Sequence, residues 1–443
     1  MTLELDDWDI QGNILQGYRF PHVAHLFGRI EAGEVSRWKR FLLRLVDEVT
    51  PARSWGKEKP RVTLNIGLSH RGIAALQRDA ASEIAPRFPA FAAGMASRSR
   101  ELGDGDGFDK RWDERHVWLA IHARESDWLD QRVAQLLAHA DVDLYEESPR
   151  GRAIVSSEGN WYEHFGFRDD ISFPAVEGTE LSEHDVAGRG KYESGKWRKI
   201  ATGEFLLGHL DESGTNALDG LSESAQRLLQ NGTFAAFRRL RQNVPKFRGY
   251  LREHSGAYTA DYLASRMMGR TPAGVPLAGS ERDLADFTYE EDQRGARCPF
   301  GAHVRRVNPR NTGRHRVIRR GITFGPPLPA GVEDDLERGL WFVALNANIE
   351  DQFEFIQKQW MNAPVGTLTD ARDPIGGAGL ERALVIEGDR SIGRAPVLLL
   401  DMPVFVTCQG GQYYFVPGLG GLVFLCAESA VTRPPVSFLH EAT

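Results

Sequence analysis

Histidine and arginine side chains crowd one stretch of the 443-residue chain, from Arg294 to Gly325, and their company there points to a reactive centre. Between Arg294 and Arg320 stand nine arginines and two histidines without one Asp or Glu, in a chain of formal net charge -7. That local excess asks for an anionic partner. A solvated basic surface or a patch for a phosphate backbone would satisfy the charge alone. His303, however, is framed by Pro299, Phe300, Gly301, Ala302 and Val304, a small, apolar setting that suits an imidazole turned inward beside a flat ligand. Val317 and Ile318 read as a buried strand delivering Arg319 to an interior site. A buried guanidinium needs a negative or strongly polar partner. Haem answers both needs, with an iron for His303 and two propionates for some of the arginines. Arg305 and Arg306 are the propionate partners expected from their position, one of the two facing solvent.

The segments that hold these residues, CPFGAHVRRVNPR and RRGITFG, resemble those of the dye-decolorizing (DyP-type) haem peroxidases. Upstream, EHFGFRDDISFP (Glu163 to Pro174) is similar to the family's GxxDG motif, with Gly166 and Asp169 in place and Asp170 where the motif closes on glycine. The likeness runs from DIQGNILQGY (Asp9 to Tyr18) to FVTCQGGQYYFVPGLGGLVFL (Phe405 to Leu425). It implies haem b, with His303 as proximal iron ligand. It also implies Asp169 as the proton shuttle and Arg319 as the cation that stabilises the departing oxygen and the ferryl product. Leu340 and Phe342 alternate on one strand and correspond to a pair that covers distal haem, although plain core packing accounts for them equally. Arg319 rather than Arg320 takes the distal role because it fits the family's Arg-x-x-x-x-Phe-Gly spacing.

Aspartate begins ionised above a pKa of about 3.9 and so accepts a proton under mildly acidic conditions, where the activity is expected to be highest. Asp170 tolerates the torsions a glycine would adopt. Facing the pocket, it would raise the pKa of Asp169 or replace it as proton acceptor; facing away, it would change little. Phe173 makes the pocket wall more apolar. The free N-H of the proximal imidazole needs an acceptor, and Asn348, Glu350 and Asp351 are the candidates.

Elements able to position these groups follow from periodicity. Strands are expected over 22–30, 61–69 and 116–124, and helices over 35–49, from about 71, and over 126–139. Phe88 to Trp112 reads as a loop-rich insertion and Asp141 to Val155 as a strand pair. GLWFVALNANIEDQFEFIQKQW (Gly339 to Trp360) can be laid over HVWLAIHARESDWLDQRVAQLL (His116 to Leu137), strand before helix in both. Such a repeat points to duplication of one α+β unit. The resemblance implies two tandem ferredoxin-like units of the dimeric α+β barrel type: an N-terminal one over 1–190 carrying the GxxD motif, and a haem-binding C-terminal one over 200–443.

Composition bounds the function. With 41% hydrophobic and 26% charged residues the chain is globular, and no segment is apolar over 18 residues. The N-terminus shows no secretory pattern, so a cytoplasmic protein is expected. Cys298, Cys408 and Cys426 lack the spacing of a disulfide or zinc framework. The acidic remainder of the chain opposes a nucleic-acid role. The reading is therefore a peroxidase that takes hydrogen peroxide and an aromatic small-molecule reductant, without membrane association, oligomerisation being compatible. A haem enzyme dedicated to one metabolite and a haem carrier with weak catalysis are the alternatives.

Overall fold

The computed structural model describes residues 5–55, 58–145, 147–169, 171, 173–180, 186–256, 258–279, 284–285, 287–309, 312–364, 371–379 and 382–427. Asp170 lies outside the described residues. Four strands of the first half are β1 (His22–Gly28), β2 (Val62–Leu68), β3 (Val117–Ala123) and β4 (Arg150–Arg152). Those of the second half are β5 (Thr233–Gln242), β6 (Ile318–Arg319), β7 (Ile322–Phe324), β8 (Gly339–Asn346) and β9 (Val406–Val416). They form one antiparallel sheet in the order β6-β8-β5-β9-β2-β3-β1-β4, with β7 pairing β8 beside β6. Each half thus repeats the order fourth, first, third, second. That is the ferredoxin-like α+β arrangement which the family resemblance implied, and it agrees with the strand and helix repeat.

The two halves meet at two seams. At one, Phe415 of β9 pairs with Leu68 of β2 in the backbone ladder. At the other, the sheet curls until Thr323 Oγ1 of β7 donates to the Arg152 carbonyl of β4 at 2.5 Å and Trp341 Nε1 donates to the Arg150 carbonyl at 2.9 Å. Gly151 permits that approach, since a Cβ there would lie 2.3 Å from Ile322 Cγ2.

Alternation along the strands sorts the core into two layers. Phe27, Trp118, Phe237, Trp341 and Tyr414 point inside the curled sheet. There the Phe237 ring stands edge-on to His25 at 5.0 Å and to Phe27 at 5.4 Å. Replacing so enclosed a ring by alanine costs about 3–5 kcal/mol. Leu26, Leu64, Ile66, Leu119 and Ile121 point outward, beneath α1 (Val35–Val46) and α2 (Ser126–His139). The helix faces are those the periodicity picked out: Trp38, Phe41, Leu42 and Leu45 on α1 are buried.

Three expectations need correction. Phe88 to Trp112 is loop only from Ser99 to Asp109: helices Pro89–Ala93 and Met95–Arg98 precede that loop, and Phe91 and Met95 are buried. The strand pair over 141–155 is reduced to β4 and Ile154–Val155, with one bridge from Leu144 to Gly28. The helix after β8 is wound wide over Glu350–Glu354 and Ile356–Met361, as in the bond from Glu354 N-H to the Ile349 carbonyl. Among the described residues no helix is long and apolar enough to cross a membrane.

Candidate active site

His303 opens the short helix α3 (His303–Val307), and its side chain retains 26% of its surface. Its Nδ1 lies 2.9 Å from Oδ2 of Asp373, which is fully buried. The other carboxylate oxygen of Asp373 accepts from the amides of Ile375 at 2.9 Å and Gly376 at 2.8 Å. Burial opposes charge on His303, but the Asp373 charge and hydrogen bond outweigh it and raise the imidazole's proton affinity. Burial likewise opposes charge on Asp373, and the same pairing holds its carboxyl below the usual range. With Nδ1 engaged, Nε2 is the ring nitrogen that could hold a metal.

Asp373 corrects the expected proximal acceptor. Asn348, Glu350 and Asp351 instead close the start of the wide helix: Asn348 Oδ1 accepts from the amides of Glu350 and Asp351, both at 3.1 Å. Asn348 Nδ2 donates to Asp351 Oδ2 at 3.0 Å.

Arg305 and Arg306 flank this pair, and the expectation that one faces solvent is overturned, their exposures being 8% and 5%. Arg305 Nη1 donates to Asp292 Oδ2 at 2.9 Å and to the Cys298 carbonyl at 2.7 Å. Its guanidinium lies 4.5 Å from the ring centres of both Tyr289 and Phe300. Arg306 Nε donates to the Trp360 carbonyl at 2.7 Å and Nη1 to the Ala371 carbonyl at 3.1 Å. Much of their donor capacity is therefore spent on protein acceptors, which clamps the loop before His303 and the segment leading to Asp373. Phe300, expected within an apolar frame, is 41% exposed.

A second constellation forms from the hairpin 161–169 and β6. Asp169 Oδ1 accepts from Arg319 Nη1 at 3.0 Å, joining residues 150 positions apart. The two side chains remain 40% and 50% exposed, so Arg319 is delivered to a cleft and not entombed as the strand pattern implied. The hairpin turns at Gly166, whose φ of 98° is strained for other residues. Glu163, which the motif reading passed over, organises that turn. Its two carboxylate oxygens accept from the amides of Phe165 and Phe167, both at 2.9 Å, and Gln242 Nε2 donates to it at 2.5 Å. Burial pushes the Glu163 carboxyl up. Arg319 and Glu163 both bear on the charge of His303, one lowering and the other raising its proton affinity.

Leu340 and Phe342 share the outer face of β8 and stay partly open, while the alternate residues Trp341 and Val343 are buried inside. Arg319 pairs with Ala344 across the ladder and so lies on that same face. Beside Arg319, a cavity is lined by Asn13, Arg19, His122, Trp161, Phe173 and Arg320 among others. Phe173 is one of the apolar residues of its wall.

An imidazole with one nitrogen anchored, an apolar pair on a sheet face and an aspartate-arginine pair form a donor set that fits an iron porphyrin. Comparison with known proteins agrees. The family profile described as Dyp-type peroxidase, C-terminal, matches residues 215–379. Peroxidase 2 of Mycetinis scorodonius is 29% identical over 94% of this chain and 86% of that protein. A multifunctional dye peroxidase of Amycolatopsis is 26% identical over 94% of both. Among solved structures, a fungal DyP-type peroxidase from Auricularia auricula-judae superposes with a TM-score of 0.79 over 96% of this chain and all of that one, at 24% identity. A dye-decolorizing peroxidase in complex with 2,6-dimethoxyphenol superposes at 0.78 over the same 96%, with 26% identity. On motifs, strand order and these likenesses together, the chain is similar over nearly its whole length to the dye-decolorizing, DyP-type haem peroxidases.

Proposed function

We propose that His303 would hold the iron of haem b through Nε2 and that Asp169 and Arg319 would serve hydrogen peroxide. The bound haem supplies the redox chemistry. Asp169 would accept a proton from one peroxide oxygen and return it to the other, which leaves as water. Arg319 donates hydrogen bonds toward the oxygen on which charge grows. Its contact with Asp169 at 3.0 Å holds the carboxylate beside the guanidinium. Asp373 orients His303 and strengthens it as a ligand. Leu340 and Phe342 keep the peroxide side apolar.

Reducing equivalents come singly from aromatic donors, phenols and dyes. The phenol complex of a structural relative supports that donor class. A unit boundary between residues 190 and 200 belongs to the same proposal, supported by the matching strand orders on either side of it.

The observation that carries this reading is the meeting of Asp169 and Arg319 on the sheet face that also bears Leu340 and Phe342. Purified protein loaded with hemin should show a haem spectrum that changes within seconds of one equivalent of peroxide and returns on adding a phenol. A spectrum indifferent to peroxide would overturn the proposal.

A further inference from the structure

Resting on the peroxidase reading, a second inference concerns what keeps Arg319 in place as pH changes. The strand β6 that carries it is only two residues long, so its position depends on the segment before it. One side chain of the wide helix holds that segment. Gln352 Nε2 donates to the Arg316 carbonyl at 2.7 Å and to the Glu204 carbonyl at 2.8 Å. The Ala347 amide, just after β8, donates to the same Glu204 carbonyl at 3.2 Å. Glu204 is thereby tied, through a single amide group, to the approach of Arg319.

Glu204 ends the turn Thr202–Glu204 and is 4% exposed. Charges from four parts of the chain surround it: Asp211 and Glu212 on its own loop, Lys191 and Arg198 on the hairpin strands Lys191–Glu193 and Lys196–Arg198, Arg314 and Arg316 before β6, and Asp351 on the wide helix. The cations are already engaged. Arg198 and Lys191 meet Glu212 at 2.5 and 3.0 Å, and Arg314 meets Asp211 at 3.2 Å and Asp351 at 3.8 Å. Arg316, half-buried, donates through Nη1 to the Gly190 carbonyl at 3.2 Å. Glu204 keeps one side-chain bond, from the Glu212 amide at 3.1 Å, and no ion pair among the described residues.

Neighbouring carboxylates therefore behave oppositely. Burial opposes charge on Glu212, yet its bonds from Arg198, the Ala201 amide and Lys191 bring it down to about 2. Burial raises Glu204 to about 7; the Glu212 amide and Arg314 oppose the rise, and the Asp211 and Glu212 charges add to it. A buried carboxylate that becomes charged without a cation must recruit one or admit water. The cation at hand is Arg316, which already feels the Glu204 charge and is bonded to a neutral carbonyl.

We infer that Glu204 is a positioning residue for Arg319 and works as a latch: closed while its carboxyl is protonated, released when the ionised group draws Arg316 from Gly190 and slackens the segment that Gln352 holds. Its folded value lies above the unfolded one, so the stability it contributes is fully present below about 4.5 and is lost as pH rises through about 7. Alkaline conditions therefore open the latch.

The test compares haem-loaded wild type with Glu204→Gln from pH 5.5 to pH 8, because glutamine copies the protonated acid in size and still accepts from the Glu212 amide. Brief digestion with trypsin reads the segment directly, at Arg314 and Arg316. The ratio of wild-type to variant cutting there should rise about tenfold between the two pH values, and taking the ratio cancels the protease's own pH dependence. The rate with peroxide should be alike in both proteins at pH 5.5. At pH 8, one unit above the midpoint, wild type should fall about tenfold below the variant. Should Glu204→Gln fail to retain haem, Arg316→Gln replaces it: with that cation gone the carboxyl ionises later, and the wild-type transition should move to higher pH. A cutting ratio and a rate ratio that both stay flat with pH would overturn the latch, since a purely structural role changes the two proteins by the same factor throughout. A wild type whose haem ignores peroxide at every pH while the cutting ratio still rises would count against the peroxidase reading alone.

Discussion

Asp373 is fully buried and meets His303 at 2.9 Å, whereas Asp169 and Arg319, which meet at 3.0 Å, keep 40% and 50% of their side-chain surface. Two carboxylates with nearly equal partner distances thus sit in opposite surroundings. Asp373 is gripped by two backbone amides, and its segment is stapled from behind by Arg306 and by Arg382 Nη1, which donates to the Asp373 carbonyl at 2.9 Å. The Asp169 side chain stands at the end of a hairpin and meets a strand of only two residues, Ile318–Arg319. A group that orients a ligand gains from immobility. A group that must receive and release a proton needs open surface and a partner that can let go.

The largest effects should fall on the open pair. Arg319→Leu removes the donor to the growing charge and is expected to slow the reaction with peroxide by about 10²–10³-fold. Asp169→Asn removes the proton acceptor and should cost about 10²–10⁴-fold. Stopped-flow mixing with peroxide reads both. If Asp169→Asn reacts at the wild-type rate, the proton passes elsewhere and the contrast between the two carboxylates loses its meaning.

On the enclosed side the expected loss is smaller, because Asp373 acts through His303. Asp373→Asn keeps an oxygen acceptor for Nδ1-H but drops the charge. Peroxide reactivity should fall about 10–100-fold while the reduction potential of the bound haem moves up. A purely structural role would weaken haem retention without moving the potential, so redox titration separates the two.

The contrast also marks what the sequence could reveal. His303, Asp169 and Arg319 each lie in a short motif whose residue types suggest a chemical task, and the structure gives each a side-chain partner there, while strand periodicity located β8 and its Leu340-Phe342 face. The acceptor Asp373 was not legible in this way. It is 70 residues from His303 and belongs to no helix or strand, so no periodicity points to it. Its only local signal is the DPIGG turn, where a side chain can accept from amides two and three residues on. The arginine run was misleading in the same way. Charge counting asks for anions, yet Arg306 turned to carbonyl oxygens at Trp360 and Ala371, and Arg305 to Asp292, partners that only the folded chain brings near.

Glu163 sharpens the comparison through pH. Its folded carboxyl is raised by burial, so its contribution to stability is fully present below the unfolded value near 4.5 and is lost as pH rises through the folded value. Denaturant unfolding between pH 4 and pH 8 should show wild type losing stability relative to Glu163→Gln as pH increases. A difference that stays flat, or runs the other way, would place the carboxylate in a wetter setting than its bonds to Phe165 and Phe167 describe.

The smallest expected effect is the most direct check on the open pair's design. Solvent-exposed ion pairs contribute about 0–1 kcal/mol, and with 40% and 50% of their surfaces open Asp169 and Arg319 belong with them. Asp169→Asn should therefore shift the unfolding free energy by no more than about 1 kcal/mol while removing most peroxide reactivity. A loss of several kcal/mol would mean that the pair braces the hairpin against β6, and the inactivity of the variant would then reflect a displaced Arg319 as much as a missing base. Equal melting curves with unequal peroxide rates would assign the carboxylate to chemistry alone.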